Sequence, residues 1–107
     1  MPLVQEQAGE VTVVRPEGRI DSVTAAQFQA ELLGIVEGAQ TVVIDATSIN
    51  YVSSAGLRVF LMAAKMAQGK GGKVSLCGLS GGVEEIFVVS GFSKIIPIYP
   101  ALEQALA

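Results

Sequence analysis

The run Thr41 to Phe60, TVVIDATSINYVSSAGLRVF, changes its periodicity midway, and no other feature constrains the fold as much. Val42-Val43-Ile44 is a continuous β-branched run closed by Asp45. A short apolar run with a polar stop reads as a buried strand. A polar connection, Ala46 to Asn50, leads to Tyr51-Val52 and then to the small cluster Ser53-Ser54-Ala55-Gly56. Beyond it Leu57, Phe60, Leu61 and Ala64 fall at i, i+3, i+4 and i+7, the spacing of one helical face. The chain therefore passes from a buried strand, through a tight polar join, into an amphipathic helix running from about Ser54 to Gly69.

Ser53 and Ser54 stand on that join, where the first turn of a helix leaves backbone N–H groups without partners. Two roles are open to them. Serine is a favoured N-cap, so one can cap while the other is merely small and polar. Alternatively the pair marks a modification or anion site. Free N–H donors and the positive end of the helix dipole both favour a phosphate there. A phosphoserine carries roughly −1.5 to −2 charges at neutral pH and would change what the surface offers a partner. Arg58 lies at i+4 from Ser54, close enough on a helix to meet such a phosphate or an acidic partner, or else to stand in solvent.

The rest of the chain repeats the same theme. Residues 3–8 (LVQEQA) and 11–17 (VTVVRPE), separated by Gly9-Glu10, read as two short strands joined by a tight turn. Pro16 ends the second strand or puts it near an edge. After Gly18-Arg19-Ile20-Asp21-Ser22, the stretch Val23–Gly38 is a helix with Ala25, Phe28, Leu32, Ile35 and Val36 on one face. Asp21, Ser22 or Thr24 supplies its cap. Lys70-Gly71-Gly72-Lys73 lacks the Gly-x-x-x-x-Gly-Lys-Ser/Thr spacing of a phosphate loop and follows a helix instead of preceding one, so it is a turn. Val74–Cys77 is the next strand. Val83, Ile86, Phe87 and Ser90 then mark a short helix, with Ser80 a possible cap and Gly91 its stop. Lys94–Ile98 is a last strand, placed at an edge because Pro97 has no ladder donor. The tail to Leu106 is a short helix. Strands that alternate with helices imply crossovers and a parallel arrangement. The expected fold is thus α/β: a single domain over residues 1–107 with a mixed sheet, an opening antiparallel pair and then alternating strands and helices, the helices packed on the sheet.

Composition removes several functions. The chain has no histidine, which excludes Ser-His-Asp and Cys-His catalysis and zinc sites built from His and Cys. No Ser-x-x-Lys run supports a lysine-activated serine, so no catalytic residue and no enzyme are expected. Ten acidic against seven basic residues give a net charge of −3. The basic residues are scattered without the dense run that nucleic acid demands. No apolar run approaches the ~18 residues of a spanning helix. The N-terminus lacks the basic and apolar regions of a secretory signal, so the expectation is a cytoplasmic protein without membrane insertion. Cys77 has no disulfide partner and, inside an apolar run, reads as a small buried hydrophobe.

Asp45 to Leu61, centred on Tyr51-Val52-Ser53-Ser54-Ala55-Gly56-Leu57, resembles the signature of STAS domains, the family of bacterial anti-sigma factor antagonists. Gly71-Gly72 before the strand Val74–Cys77, Gly78-Leu79 after it and Ser90-Gly91-Phe92 extend the resemblance over nearly the whole chain. The resemblance implies a serine phosphorylated by a partner that is both kinase and anti-sigma factor. The family's phosphorylated serine, two positions before Gly-Leu, falls on Ser54, with Ser53 the alternative. Ser53 stands where an aspartate often precedes it, and Ala55 is a second departure. The resemblance also places Asp21, from a Gly-x-apolar-Asp run, beside that serine, so that Asp21, Ser53, Ser54, Gly56 and Arg58 make up the expected partner-binding surface. It implies a phosphoprotein that binds the anti-sigma factor/serine kinase when unmodified and is released on phosphorylation, a phosphatase resetting it. The kinase would supply ATP and magnesium, so neither cofactor nor metal is expected in this chain. The alternative is a constitutive binding subunit of a membrane transporter or other signalling complex, never phosphorylated.

Overall fold

The computed structural model describes residues 3–107. In chain order its elements are β1 (Val4–Ala8), β2 (Val11–Arg15), β3 (Gly18–Ile20), α1 (Ala25–Gly38), β4 (Thr41–Asp45), β5 (Ile49–Val52), α2 (Ser54–Gly69), β6 (Lys73–Cys77), α3 (Gly81–Val89), a 3-10 turn at Phe92–Lys94, β7 (Ile98–Tyr99) and α4 (Leu102–Leu106). β1 and β2 form an antiparallel hairpin closed by Ala8 opposite Val11, with Gly9 at φ 66° supplying the left-handed turn residue. β2, β4, β6 and β7 then pair in parallel, giving the order β1-β2-β4-β6-β7. The expected mixed sheet, an antiparallel pair continued by parallel strands, is the one observed.

Val14, Val42, Ile44, Val74 and Leu76 alternate onto one face of the sheet and join Phe28, Leu32 and Val36 of α1 and Phe60 of α2 in the core. α4 packs against β4, β6 and β7. The four phenylalanines form a chain, Phe28–Phe60–Phe87–Phe92, each ring centroid 5.3 Å from the next. Tilted and edge-on pairs of this kind add about 0.5–1.5 kcal/mol each beyond their buried area. They lock α1, α2, α3 and the 3-10 turn into one layer. Cys77 is fully buried, and burial first, with the charge of Asp45 adding, pushes its thiol up to about 11. It is the small hydrophobe its surroundings in the sequence suggested.

The structure departs from expectation in four places. β3 and β5, expected as connections, pair in parallel as a separate two-stranded sheet with an irregularity between Gly18 and Arg19. They are three and four residues long, too short to print an alternating pattern. The strand expected over Lys94–Ile98 is reduced to β7. Phe92 and Ile96, four apart, are both buried, and the Ile96 N–H bonds the Phe92 carbonyl at 3.0 Å, so the segment coils inward before it extends. Pro97 still serves the sheet edge, its carbonyl accepting from Leu76 at 3.0 Å. The helix expected from Val23 begins at Ala25, leaving Val23 87% exposed in a turn. Finally, α2 buries Gly56, Val59, Phe60, Ala63, Ala64 and Ala67, while Leu57 and Leu61 are only half-buried. Small residues take α2 close to α1 and the sheet, and the larger leucines are displaced to the flank.

The C-terminal end of α1 is closed by the cation of Lys70, the residue that follows α2. Lys70 Nζ donates to the carbonyls of Val36, Glu37 and Ala39 at 3.0, 2.7 and 2.8 Å. The Val36 carbonyl also accepts from Ala39 N at 3.3 Å, and a positive charge complements the negative end of the dipole. Lys70→Met, which keeps the stem and removes the ammonium, is expected to lower stability by about 1–3 kcal/mol. Equilibrium urea unfolding of the two proteins measures the difference.

Candidate functional site

The site is assembled where β3 meets the start of α2. The Ile20 carbonyl, at the end of β3, accepts from Ser53 N at 2.9 Å. A Cβ on Gly56 would lie 2.7 Å from that same carbonyl and 2.9 Å from Ile20 Cγ2. Such separations are not tolerated, so glycine is required for the two elements to touch. Gly56 is buried and offers no side chain; its contribution to any surface is to permit this approach.

The two serines are in different situations. Ser53 is the N-cap of α2, with extended backbone (φ −88°, ψ 175°), and its Oγ accepts from Gly56 N at 3.3 Å. Its carbonyl accepts the first helical bond, from Leu57 N at 2.9 Å. Ser54 is the first residue inside the helix and is exposed. The capping role and the free hydroxyl, open alternatives in the sequence, thus fall to different residues. Arg58, one turn on, is exposed and makes no salt bridge among the described residues.

Asp21 follows Ile20 and organises the adjoining turn. Its Oδ1 accepts from Val23 N at 3.0 Å and Thr24 N at 3.2 Å, and Thr24 Oγ1 accepts from Asp21 N at 3.0 Å. Of the three caps considered for α1, Asp21 carries the bonds, while Thr24 at the cap position makes no side-chain cap bond of its own. Arg19 Nε donates to Asp21 Oδ2 at 3.3 Å, and its guanidinium carbon lies 4.4 Å from the Tyr51 ring centroid. The Thr24 and Val23 amides, then Arg19, hold the Asp21 carboxyl below its ordinary value. A carboxylate with a lowered folded pKa contributes stability at pH above its unfolded value, near 4, and that contribution is lost as pH falls through the folded value. A carboxyl-detected NMR titration is expected to place the Asp21 midpoint below that of an unfolded-peptide aspartate. The Val23 and Thr24 amide shifts should move with it. A midpoint at or above the peptide value would remove the hydrogen bonds from the account.

Behind the site, Asp45 fixes the turn from β4 to β5. Its Oδ1 accepts from Thr47 N at 3.1 Å and Thr47 Oγ1 at 2.5 Å, and Arg15 Nε lies 3.4 Å from Oδ2. The Ser48 carbonyl in this turn accepts from Gly18 N at 2.9 Å, which holds β3 against β5.

Sequence reasoning missed the surface beside Ser54. A groove of about 450 Å³ runs between α2 and α3, with Leu57, Ile86 and Val89 as its apolar wall and Glu85 at its rim. A second hollow of about 360 Å³, containing Tyr51, Asn50, Ser80 and Val83, shares Ile86 and Gly82 with it. Leu57 is at i+3 from Ser54, so groove and hydroxyl are neighbours on one helix. The signal that could have located it is the composition of α3, GGVEEIFVV, which has more apolar residues than one buried face uses: Val83 and Phe87 are buried while Val89 is 79% exposed. Among the described residues no group of three His, Cys, Asp or Glu side chains comes together as a metal site, and no helix is long and apolar enough to cross a membrane.

The STAS-domain family model matches residues 2–105. BtrV of Bordetella bronchiseptica, named as a candidate anti-sigma factor antagonist, is 37% identical over all of this chain and 93% of its own length. A crystal structure of an anti-sigma factor antagonist from Mycobacterium paratuberculosis superposes with a TM-score of 0.90 at 26% identity, covering 97% of this chain and 89% of that one. SpoIIAA, a Bacillus cell fate determinant solved in its phosphorylated form, shares the fold with a TM-score of 0.72 at 20% identity, covering 97% of this chain and 96% of that one.

Proposed function

Because the chain belongs to the STAS-domain family, we propose that it is an anti-sigma factor antagonist, a regulatory binding protein switched by phosphorylation of Ser54. The observation that carries the reading is the division of labour at the start of α2. Ser53 spends its hydroxyl on the cap, while Ser54 presents its own to solvent within the first turn. A phosphate at that position meets unpaired N–H groups and the positive end of a 16-residue helix, so the modified protein stays folded. That SpoIIAA has been solved in a phosphorylated form is in keeping with this chemistry on the same fold.

Unmodified, the protein binds an anti-sigma factor that is also a serine kinase, through Ser54, Arg58, the Asp21 turn and the α2–α3 groove. The apolar wall of Leu57, Ile86 and Val89 supplies burial for the partner, and the exposed guanidinium of Arg58 attracts an acidic group on it. Phosphorylation places about two negative charges at the edge of that contact. Desolvating them without a compensating cation is costly, so the partner leaves. The kinase brings the nucleotide and its metal, a phosphatase resets the switch, and the chain itself contributes no catalytic group. A cytoplasmic location follows from that partnership. The replacement of the frequent aspartate by Ser53, with Ala55 on the other side of Ser54, favours a second reading: a constitutive subunit of a transporter or signalling complex that uses the same face unmodified.

The two readings separate on binding. Calorimetric titration of the anti-sigma partner is expected to give Ser54→Ala the affinity of the unmodified protein, with no loss after incubation with kinase and ATP. Ser54→Asp should bind about tenfold or more weakly, roughly 1.4 kcal/mol. If Ser54→Asp binds as tightly as the parent protein, charge at this position does not govern release and the constitutive reading takes its place.

A further inference from the structure

On the reading of Ser54 as the modified residue, we propose that Arg58 is the receptor of its phosphate within the same helix. One modification then adds negative charge to the docking surface and takes a cation out of it. Arg58 is exposed, and among the described residues it makes no ion pair, whereas Arg15 and Arg19 are both paired with acids. Ser54 and Ala55 one turn before it, and Leu61 and Met62 one turn after it, are within its side-chain reach on α2. None of these is acidic, and α2 has no acidic residue along its whole length. A guanidinium near the start of a helix also faces the positive end of the dipole. Arg58 therefore stands uncompensated until a negative charge is supplied beside it.

Helix geometry brings the two groups together. Side chains on an α-helix lean toward its N-terminus, so a long side chain at position 58 covers the turn that holds Ser54. An anion at i with a cation at i+4 is also the favoured order of such a pair. A phosphate brings three acceptor oxygens and roughly −1.5 to −2 charges, and the planar fork of a guanidinium binds two of those oxygens at once. Position 53 lies outside this register. Its neighbour at i+4 is Leu57, and its hydroxyl is engaged by the Gly56 amide. The device therefore serves a phosphate on Ser54 and not one on Ser53.

The consequence is an exchange of charge at one place. Before modification the surface presents a free guanidinium close to the apolar wall formed by Leu57, Ile86 and Val89. After it, the guanidinium is folded back over the first turn of α2. One arginine does not neutralise a phosphate, and about one negative charge is left in excess. An acidic group on the partner loses its attraction and meets repulsion instead, with no movement of the backbone. Loss of the cation and gain of the anion both weaken the contact.

Full-length protein with phosphoserine installed at position 54 during translation, in the parent chain and in Arg58→Gln, tests the proposal. Because the phosphate is supplied synthetically, the outcome is independent of whether cells modify Ser54, and each idea can fail without the other. Phosphorus NMR follows the second ionisation of the phosphate, near pH 6 in a free phosphoserine. A guanidinium beside it favours the dianion, so the parent is expected to titrate at lower pH than Arg58→Gln. At low salt the acid dissociation constants should differ by about threefold or more, and the difference should shrink as salt is added. The α2 amides, the Arg19–Asp21 pair at the adjoining turn and Glu85 at the groove rim are the same in both proteins, so the difference belongs to Arg58. In the parent, the Arg58 Nε–H resonance should shift and exchange more slowly with water when the phosphate is present. Equal titration midpoints in the two proteins, or an Arg58 Nε–H signal that the phosphate leaves unmoved, overturns the proposal.

Discussion

The contact between the Ile20 carbonyl and the first turn of α2 is the constraint on which the site depends. That oxygen accepts from Ser53 N and would lie only 2.7 Å from a Cβ at residue 56. Ser53 is thereby fixed as the cap, which leaves Ser54 as the first helical residue, with its hydroxyl outside. The same contact delivers Asp21 and Arg19 to the neighbourhood, because they flank Ile20 in sequence. One close backbone approach therefore determines which hydroxyl is available and which charges surround it.

Around this point the physics is divided between burial and charge. The apolar groove of Leu57, Ile86 and Val89 can supply binding energy in proportion to the area that a partner covers. Arg58 and Arg19 supply direction more than energy, since exposed charges are screened and individually weak. A phosphate on Ser54 would act on both, adding charge beside a surface that depends on losing water. Rearrangement of the domain is unnecessary for such a switch. A rigid layer, held by the four-phenylalanine chain and the Lys70 clamp, suits a protein that signals by surface chemistry.

Much of this was legible in the sequence. The run Val42-Val43-Ile44 and the i, i+3, i+4 spacing after Gly56 placed β4 and α2, and α2 begins and ends at Ser54 and Gly69 as the spacing indicated. Glycines and prolines marked the other boundaries, because their backbone demands are local. What was not legible depended on contacts between distant segments. β3 and β5 exist because each satisfies the other, and neither carries enough residues to declare itself. The buried face of α2 turned toward Gly56, Ala63 and Ala67 because close packing selects small residues, whereas periodicity weights large ones. Exposure of Val89, with Ile86 only half-buried beside it, is a property of what is absent next to them, which no single stretch encodes. The difference between Ser53 and Ser54 was likewise invisible until the helix had a defined first residue.

The central claim is that Ser54, and not Ser53, is the modified residue. Intact mass and peptide mapping of the protein from its native cells test it most directly. The account predicts a phosphate on a fraction of the molecules, located at Ser54 with Ser53 unmodified. A phosphate on Ser53, which would have to give up the cap to Gly56 N, or none under any growth condition, would contradict it.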